Sequence, residues 1–344
     1  MTSAALERNH GVYRFLEPIR NLSDFAGHRV IVQAQAELGD DRARLKARLL
    51  QQAASIDPKF FYDAQGCALF NAICSLEEYY PTRTEASIFE RYRQQIADCL
   101  PAHAQWIDLG CGDGVKSRNW IGVAGAKRFV GVDIAHGWLV DALDGMAREY
   151  SVLECLGVVT DFSANLTLQE IIAERADWPP VFFYPGSSIG NFTPPDAREF
   201  LRSVRDHLGN RGCLLIGVDL VKDTHILEAA YDDALGITAA FNRNILRAVN
   251  SQFGTDFEPR SFDHRATFNV AESRIEMNLR ANADNDIRID DTDRHFACGE
   301  EILTEYSHKY SVESFAALLD GAGFSRHRYW TDERGWFGVF LAQP

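Results

Sequence analysis

The feature that most constrains this chain is Asp108-Leu109-Gly110-Cys111-Gly112-Asp113-Gly114, where a short apolar run gives way to helical periodicity. Trp106 to Leu109 reads as a strand and the residues from about Val115 as a helix, so three glycines fall in a strand-to-helix turn. Glycines there allow a tight turn and let the backbone approach a ligand closely. A dinucleotide fingerprint, G-x-G-x-x-G, would need a third glycine at position 115, which is Val115. The loop points away from NAD.

Around this loop the pattern alternates. Helix-period residues Ile88, Phe89, Tyr92, Ile96 and Leu100 precede it, behind Thr82-Arg83-Thr84-Glu85, which has the form of a capping box. Strands are predicted at Arg128 to Val132, ending at Asp133, at Leu156 to Val159, ending near Asp161, at Val181 to Tyr184, and at Cys213 to Val218. Thr193-Pro194-Pro195-Asp196 opens a helix carrying Phe200, Leu201 and Val204. Near the end, a helix with Phe315, Leu318 and Leu319 precedes Arg326 to Trp330, a turn, and Trp336 to Leu341, which together read as an antiparallel hairpin. This order implies an α/β fold with a doubly wound parallel sheet, helices on both faces, and ligands at the carboxyl ends of the strands.

Between Lys222 and Tyr310 the alternation breaks. Two helix-like stretches, Ile226 to Leu235 and Ile237 to Phe253, are followed by strand-like Arg265 to Leu279 and Asp286 to Ile289. At roughly 100–200 residues per domain, 344 residues suggest about two domains, or one domain carrying a large insertion. The expected division is residues 60–222 and 311–344 for the sheet, and residues 1–59 and 223–310 for a smaller lid over its carboxyl edge.

The loop fits the D/E-x-G-x-G form of class I S-adenosylmethionine (SAM) methyltransferases, which makes Gly110 and Gly112 candidates for cofactor contact. Asp133 stands 23 residues beyond Gly110, where acids accept ribose hydroxyls in doubly wound folds. Asp161 is placed to accept from an adenine amino group.

Six segments extend the likeness over most of the chain: residues 76–85, 184–192, 217–223, 230–233, 274–277 and 304–310. They resemble the histidine Nα-methyltransferases of ergothioneine biosynthesis. The resemblance implies that Asn191 and Tyr231 hold the carboxylate of L-histidine, Glu305 and Ser307 its imidazole, and that Met277 lies against the ring. It places Tyr62 and Tyr79 near the amino group, puts Gly186 in the substrate loop, and assigns Tyr62 and Asn191 catalytic positions. Lys116 would meet the methionine carboxylate of SAM. Independently, residues i and i+2 of an extended segment share a face, so Glu305 and Ser307 can address one ring together. Ser188 and Asn278 depart from the family pattern, which commonly has threonine and histidine there.

Charge and cysteines narrow the partners. Lys and Arg number 35 against 49 Asp and Glu, a net charge of −14, which argues against nucleic acid and anionic membranes. Seven cysteines without a C-x-x-C pair suggest neither a disulfide framework nor structural zinc, and the ten histidines show no metal spacing. The first residues lack the pattern of an export signal. The expectation is a cytoplasmic enzyme without metal or obligate protein partner, using SAM and releasing S-adenosylhomocysteine, acting on histidine and its mono- and dimethyl forms. Two alternatives remain open: an N-methyltransferase for another amino acid or aromatic amine, and a noncatalytic SAM-binding subunit.

Overall fold

The structure is a computed structural model describing residues 22–25, 28–33 and 38–344. The first ten residues, read above for an export signal, lie outside the described residues. The larger sheet runs, edge to edge, β1 (Leu22–Phe25), β2 (His28–Val32), β6 (Glu154–Val159), β5 (Arg128–Asp133), β4 (Gln105–Leu109), β7 (Pro180–Tyr184), β8 (Cys213–Asp219), β15 (Phe337–Gln343) and β14 (Arg326–Thr331). The strands from β2 to β8 are parallel, whereas β15 runs antiparallel to β8 and to β14. The doubly wound α/β sheet and its terminal hairpin are therefore as expected.

Strands β4, β7 and β8 are buried along their whole length, as sheets covered on both faces require. Alternate residues serve the two faces. Ile107, Val130, Leu214 and Ile216 pack with α7 (Gln169–Ala173), α8 (Pro194–Leu208) and α11 (Val312–Gly321). Trp106, Phe129, Cys213 and Leu215 pack with α3 (Tyr80–Arg91), α4 (Arg93–Ala97), α5 (Val115–Ile121) and α6 (His136–Glu149). Thr193 caps α8 by accepting from the Asp196 amide, with prolines in the first turn, as its sequence predicts.

The smaller sheet runs β3 (Ala54–Ser55), β13 (Glu301–His308), β10 (Arg274–Ala281), β9 (Phe262–Asn269), with a separate hairpin of β11 (Asn285–Ile289) and β12 (Thr292–Phe296). Helices α1 (Leu38–Leu49), α2 (Ala64–Cys74), α9 (Thr224–Tyr231) and α10 (Ile237–Phe253) pack on it in a second hydrophobic core. Helix α10 has its predicted bounds because Gly236 and Gly254, with φ of 74° and 71°, break the chain at both ends.

Several local expectations are corrected. Thr82 to Glu85 form no capping box: α3 already starts at Tyr80, with Pro81 in its first turn, and Thr84 bonds back to the Tyr80 carbonyl. Residues 265–279 are two paired strands rather than one. The first helix of the insertion ends at Tyr231, before Leu235. The packing also departs from the expected domain division at two places. Strand β2 joins the larger sheet beside β6, and Phe60, Phe61 and Ile73 belong to the core of the smaller unit.

Gly190 shows how closely the two units meet. A Cβ there would lie 2.8 Å from the His308 carbonyl oxygen and 3.2 Å from its nitrogen. Gly190→Ala should therefore cost about 1–3 kcal/mol, the usual penalty for overpacking. Urea denaturation would check this, and an unchanged midpoint would contradict the close contact.

Candidate active site

The glycine loop is anchored from beneath. The amides of Gly110 and Cys111 donate to the Val132 carbonyl at 2.8 and 3.2 Å, holding the loop on the end of β5. Gly110, Gly112 and Gly114 have φ of 70°, 52° and 69°, in the left-handed region that disfavours other residues. A Cβ at Gly112 would meet nothing within 4 Å, so this part of the loop is open to a ligand. Cys111 is buried in the core cluster that includes Leu139 and Trp106.

Asp133 lies beside the loop. Its two oxygens accept from the amides of Gly112 at 2.9 Å and Ala135 at 2.8 Å, which orient the carboxylate. Burial raises its pKa, against the pull of those amide bonds. Asp161 accepts from Lys59 at 3.4 Å and from Ser163, and Lys59 also meets Asp41 at 2.8 Å. Lys116, inside the N-terminus of α5, pairs with buried Glu85 at 2.5 Å, while Glu85 also accepts from the Gly186 amide at 2.7 Å. These groups fit SAM: Asp133 for ribose hydroxyls, a cation for a carboxylate, and glycines for close approach.

Next to this edge is a partly open cleft. All eight residues expected at the substrate line it: Tyr62, Tyr79, Gly186, Asn191, Tyr231, Met277, Glu305 and Ser307. They come from separate parts of the fold. Gly186 and Asn191 belong to the turn after β7, where Gly186 and Ser187 are consecutively left-handed at φ 81° and 61°. Such a conformation at serine costs energy, and the Ser187 hydroxyl offsets part of it by accepting from the Asp219 amide at 2.8 Å. Met277 on β10 pairs directly with Glu305 on β13, and the register shifts immediately beyond, leaving Thr304 as an extra residue. Its hydroxyl bonds the Met277 carbonyl at 3.0 Å and Asn242 at 2.7 Å, which secures the bulge beside Glu305.

Asn191 reaches Glu305 across the cleft at 3.5 Å. Burial pushes Glu305 up to about 7, moderated by Lys309. Burial, with nearby Glu305, also raises Tyr62; burial and Tyr231 raise Tyr79. Both remain neutral phenols at physiological pH. Ser188, Phe70 and Phe241 also belong to the cleft wall.

Behind the wall is a buried cluster that the sequence reading missed. Lys309 is within 2.9 Å of both Tyr231 Oη and Ser307 Oγ, and Asp219 accepts from Lys309 at 2.8 Å, from Lys222 at 2.6 Å and from Tyr80. Burial opposes the Lys309 charge, but Asp219 overrides it and raises the pKa. Burial lowers Lys222 to about 8. The signal for Lys309 was available, because it continues the i, i+2 row of Glu305 and Ser307.

The larger sheet, its glycine loop and the acids at its strand ends define a SAM-dependent methyltransferase. Residues 41–344 match the family described as histidine-specific methyltransferase, SAM-dependent, and the chain belongs to that family. It is 40% identical over 307 residues to the histidine N-alpha-methyltransferase of Mycolicibacterium smegmatis, covering 88% of this chain and 94% of that one. Identity to the Mycobacterium tuberculosis protein of the same name is 38% over 323 residues, covering 90% and 99%. A more distant likeness, 29% over 217 residues, is to ergothioneine biosynthesis protein 1 of Schizosaccharomyces pombe, covering 60% of this chain and 28% of that one.

Glu305 gives a pH-dependent stability with a definite sign. Its folded pKa, about 7, lies above the ordinary 4.5, so the folded state holds the proton more tightly. That contribution is complete below about 4.5 and is lost as pH rises through 7. Without ligand, Glu305→Gln should therefore gain stability relative to wild type between pH 5 and 8, by at most about 3 kcal/mol. Parallel denaturation curves across that range would check it, and a constant difference would contradict the burial of this acid.

Proposed function

We propose that the enzyme transfers three methyl groups in succession to the α-amino group of L-histidine. The product is trimethylhistidine (hercynine), with three molecules of S-adenosylhomocysteine, as an early step of ergothioneine biosynthesis. The observation that carries this reading is the convergence of eight side chains and loop positions, spread from Tyr62 to Ser307, on one cleft beside the glycine loop. Family membership and the similarity to the mycobacterial enzymes support the substrate.

In this reading Gly110 and Gly112 let SAM approach the loop, Asp133 accepts its ribose hydroxyls, and Asp161 lies toward its adenine. Lys116 turns from Glu85 to the methionine carboxylate. SAM supplies a methyl group on a sulfonium, open to direct displacement. The protein's part is to position an unprotonated amine, so orientation dominates catalysis. Asn191 and Tyr231 donate to the substrate carboxylate, while Glu305 and Ser307 address the imidazole and Met277 packs against it. The smaller unit, with residues 223–310 at its centre, is the substrate-binding part.

Tyr62 and Tyr79 face the amino group as neutral phenols. The proton lost before each transfer therefore leaves by a relay of hydroxyls and water, not to a tyrosinate. Hydroxyl and amide groups that both donate and accept tolerate the loss of N–H groups as methylation proceeds. All seven cysteines are unpaired in the structure, and a cytoplasmic setting is part of the proposal. No protein partner or metal is invoked.

Incubation with SAM and each of the twenty amino acids tests the substrate. Histidine should be methylated fastest, and equal turnover of tryptophan or tyrosine would overturn the assignment. Glu305→Ala should raise the KM for histidine by an amount equivalent to about 1–3 kcal/mol, with SAM affinity nearly unchanged. Asp133→Ala should show the reverse, weakening SAM by a comparable amount in calorimetric titration. Equal losses for both ligands in both variants would contradict the division of the site.

A further inference from the structure

The Lys309 ammonium has three protons and three acceptors: Asp219 Oδ2 at 2.8 Å, Tyr231 Oη at 2.9 Å and Ser307 Oγ at 2.9 Å. Each hydroxyl oxygen thus already accepts one hydrogen bond. The two oxygens are also 2.8 Å apart, so one hydroxyl donates to the other. Of their two protons, one lies between them and a single proton remains for the cleft. A hydroxyl offers one donor and two acceptor positions, which leaves two arrangements. Either Ser307 donates to Tyr231, so that Tyr231 donates into the cleft and Ser307 presents a lone pair there, or the roles are exchanged.

An ionised carboxylate only accepts hydrogen bonds, so at Tyr231 it selects the first arrangement. Ser307 is then committed to receive an N–H. We propose that Lys309 is a positioning residue that couples the two ends of the substrate: by occupying one acceptor position on each hydroxyl, it makes a carboxylate at Tyr231 and a ring N–H at Ser307 mutually dependent. This rests on the placement of histidine given above. Glu305 completes the set, sharing one proton with the other ring nitrogen whichever of the two carries it. The cleft therefore selects an amino acid with a free carboxylate and a ring N–H. The charges behind Tyr231 reinforce the choice. Lys309 and Lys222 face the single carboxylate of Asp219, with Tyr80 as its neutral third partner, so the cluster carries an excess positive charge.

The experiment compares L-histidine with L-histidinamide, whose neutral amide lacks the charge and brings N–H donors that the first arrangement cannot accept. Wild type, Tyr231→Phe, Lys309→Met and the double variant of these two are assayed for kcat and KM on both substrates, with SAM affinity measured by calorimetry. Lys309→Met should raise the KM for histidine more than it lowers kcat, and should reduce the acid-over-amide preference by about tenfold to a hundredfold, the range for losing a charge-assisted hydrogen bond. SAM affinity should stay within about twofold, since Lys309 does not line the cofactor edge. In the Tyr231→Phe background the same change should alter the preference little, an outcome that a purely structural role would not produce.

Loss of preference in Tyr231→Phe but not in Lys309→Met overturns the role of Lys309 alone. Retention in both overturns the placement beneath it. Lys309→Met leaves Asp219 paired with Lys222, so the remaining charges stay balanced. If Lys309→Met does not fold, Lys309→Met with Lys222→Met and Asp219→Asn removes all three charges of the cluster and must show the same loss of preference, and retention there counts against the proposal.

Discussion

The ion pair between Asp219 and Lys309 joins the two halves of this molecule. Asp219 ends β8 in the larger sheet, and Lys309 follows β13 in the smaller one. Backbone bonds reinforce the junction: the Tyr310 amide donates to the Asp219 carbonyl at 3.1 Å, and the Val221 amide to the Tyr310 carbonyl at 2.9 Å. Taking two charges out of water is costly, and a buried pair is seldom a net source of stability over apolar packing. What it supplies here is a fixed position. Every hydrogen bond of the pair is directional, so the end of the sheet that carries the cofactor loop and the strand that carries Glu305 and Ser307 are held in one relation.

That relation accounts for the strain next to it. Ser187 adopts a left-handed conformation only because its hydroxyl takes the Asp219 amide and the adjoining Gly186 amide is taken by Glu85. Glu85 also holds Lys116, on the cofactor side. The turn after β7 is thus fastened at one end to the junction of the two units and at the other, through Glu85, to Lys116 just beyond the glycine loop. Gly190 lies between them, against the backbone of His308, where any side chain would press the units apart. The proposed substrate and cofactor positions thus share their supports, as a direct displacement requires of two ligands that must meet in line.

The larger sheet was legible because its physical signals are local. Apolar runs, a glycine loop and strand-end acids lie within short windows, and a strand buried on both faces reads as a continuous apolar stretch. Helix α10 was equally plain, bounded by two glycines. The smaller unit was harder. Its strands are partly exposed and mixed in polarity, so residues 265–279 read as one strand where a hairpin occurs, and β12 carries Thr292, Asp293, Arg294 and His295 with little apolar signal. The capping box failed for a related reason. Glu85 has the right spacing from Thr82, but its side chain is buried against Gly186 and Lys116, a tertiary demand that no local pattern reports.

Within the site, the residues that line the cleft were expected from family likeness, and the residues packed behind them were not. Tyr231 and Ser307 are separated by 76 positions, and their 2.8 Å contact exists only after both units have folded. Lys309 stands two residues from Ser307 on the same row, yet a lysine in an extended segment ordinarily reads as solvated surface. Its burial follows from Asp219, which in turn follows from the end of a strand in the other unit. Neutral hydroxyls backed by a buried cation hold a carboxylate differently from an exposed lysine. The cation polarises the donors but remains behind them, fully engaged, so it cannot pair directly with an incoming anion. On the proposed placement the site can favour a carboxylate without becoming a general trap for phosphates, because the spacing of its donors acts together with the charge behind them in deciding what fits.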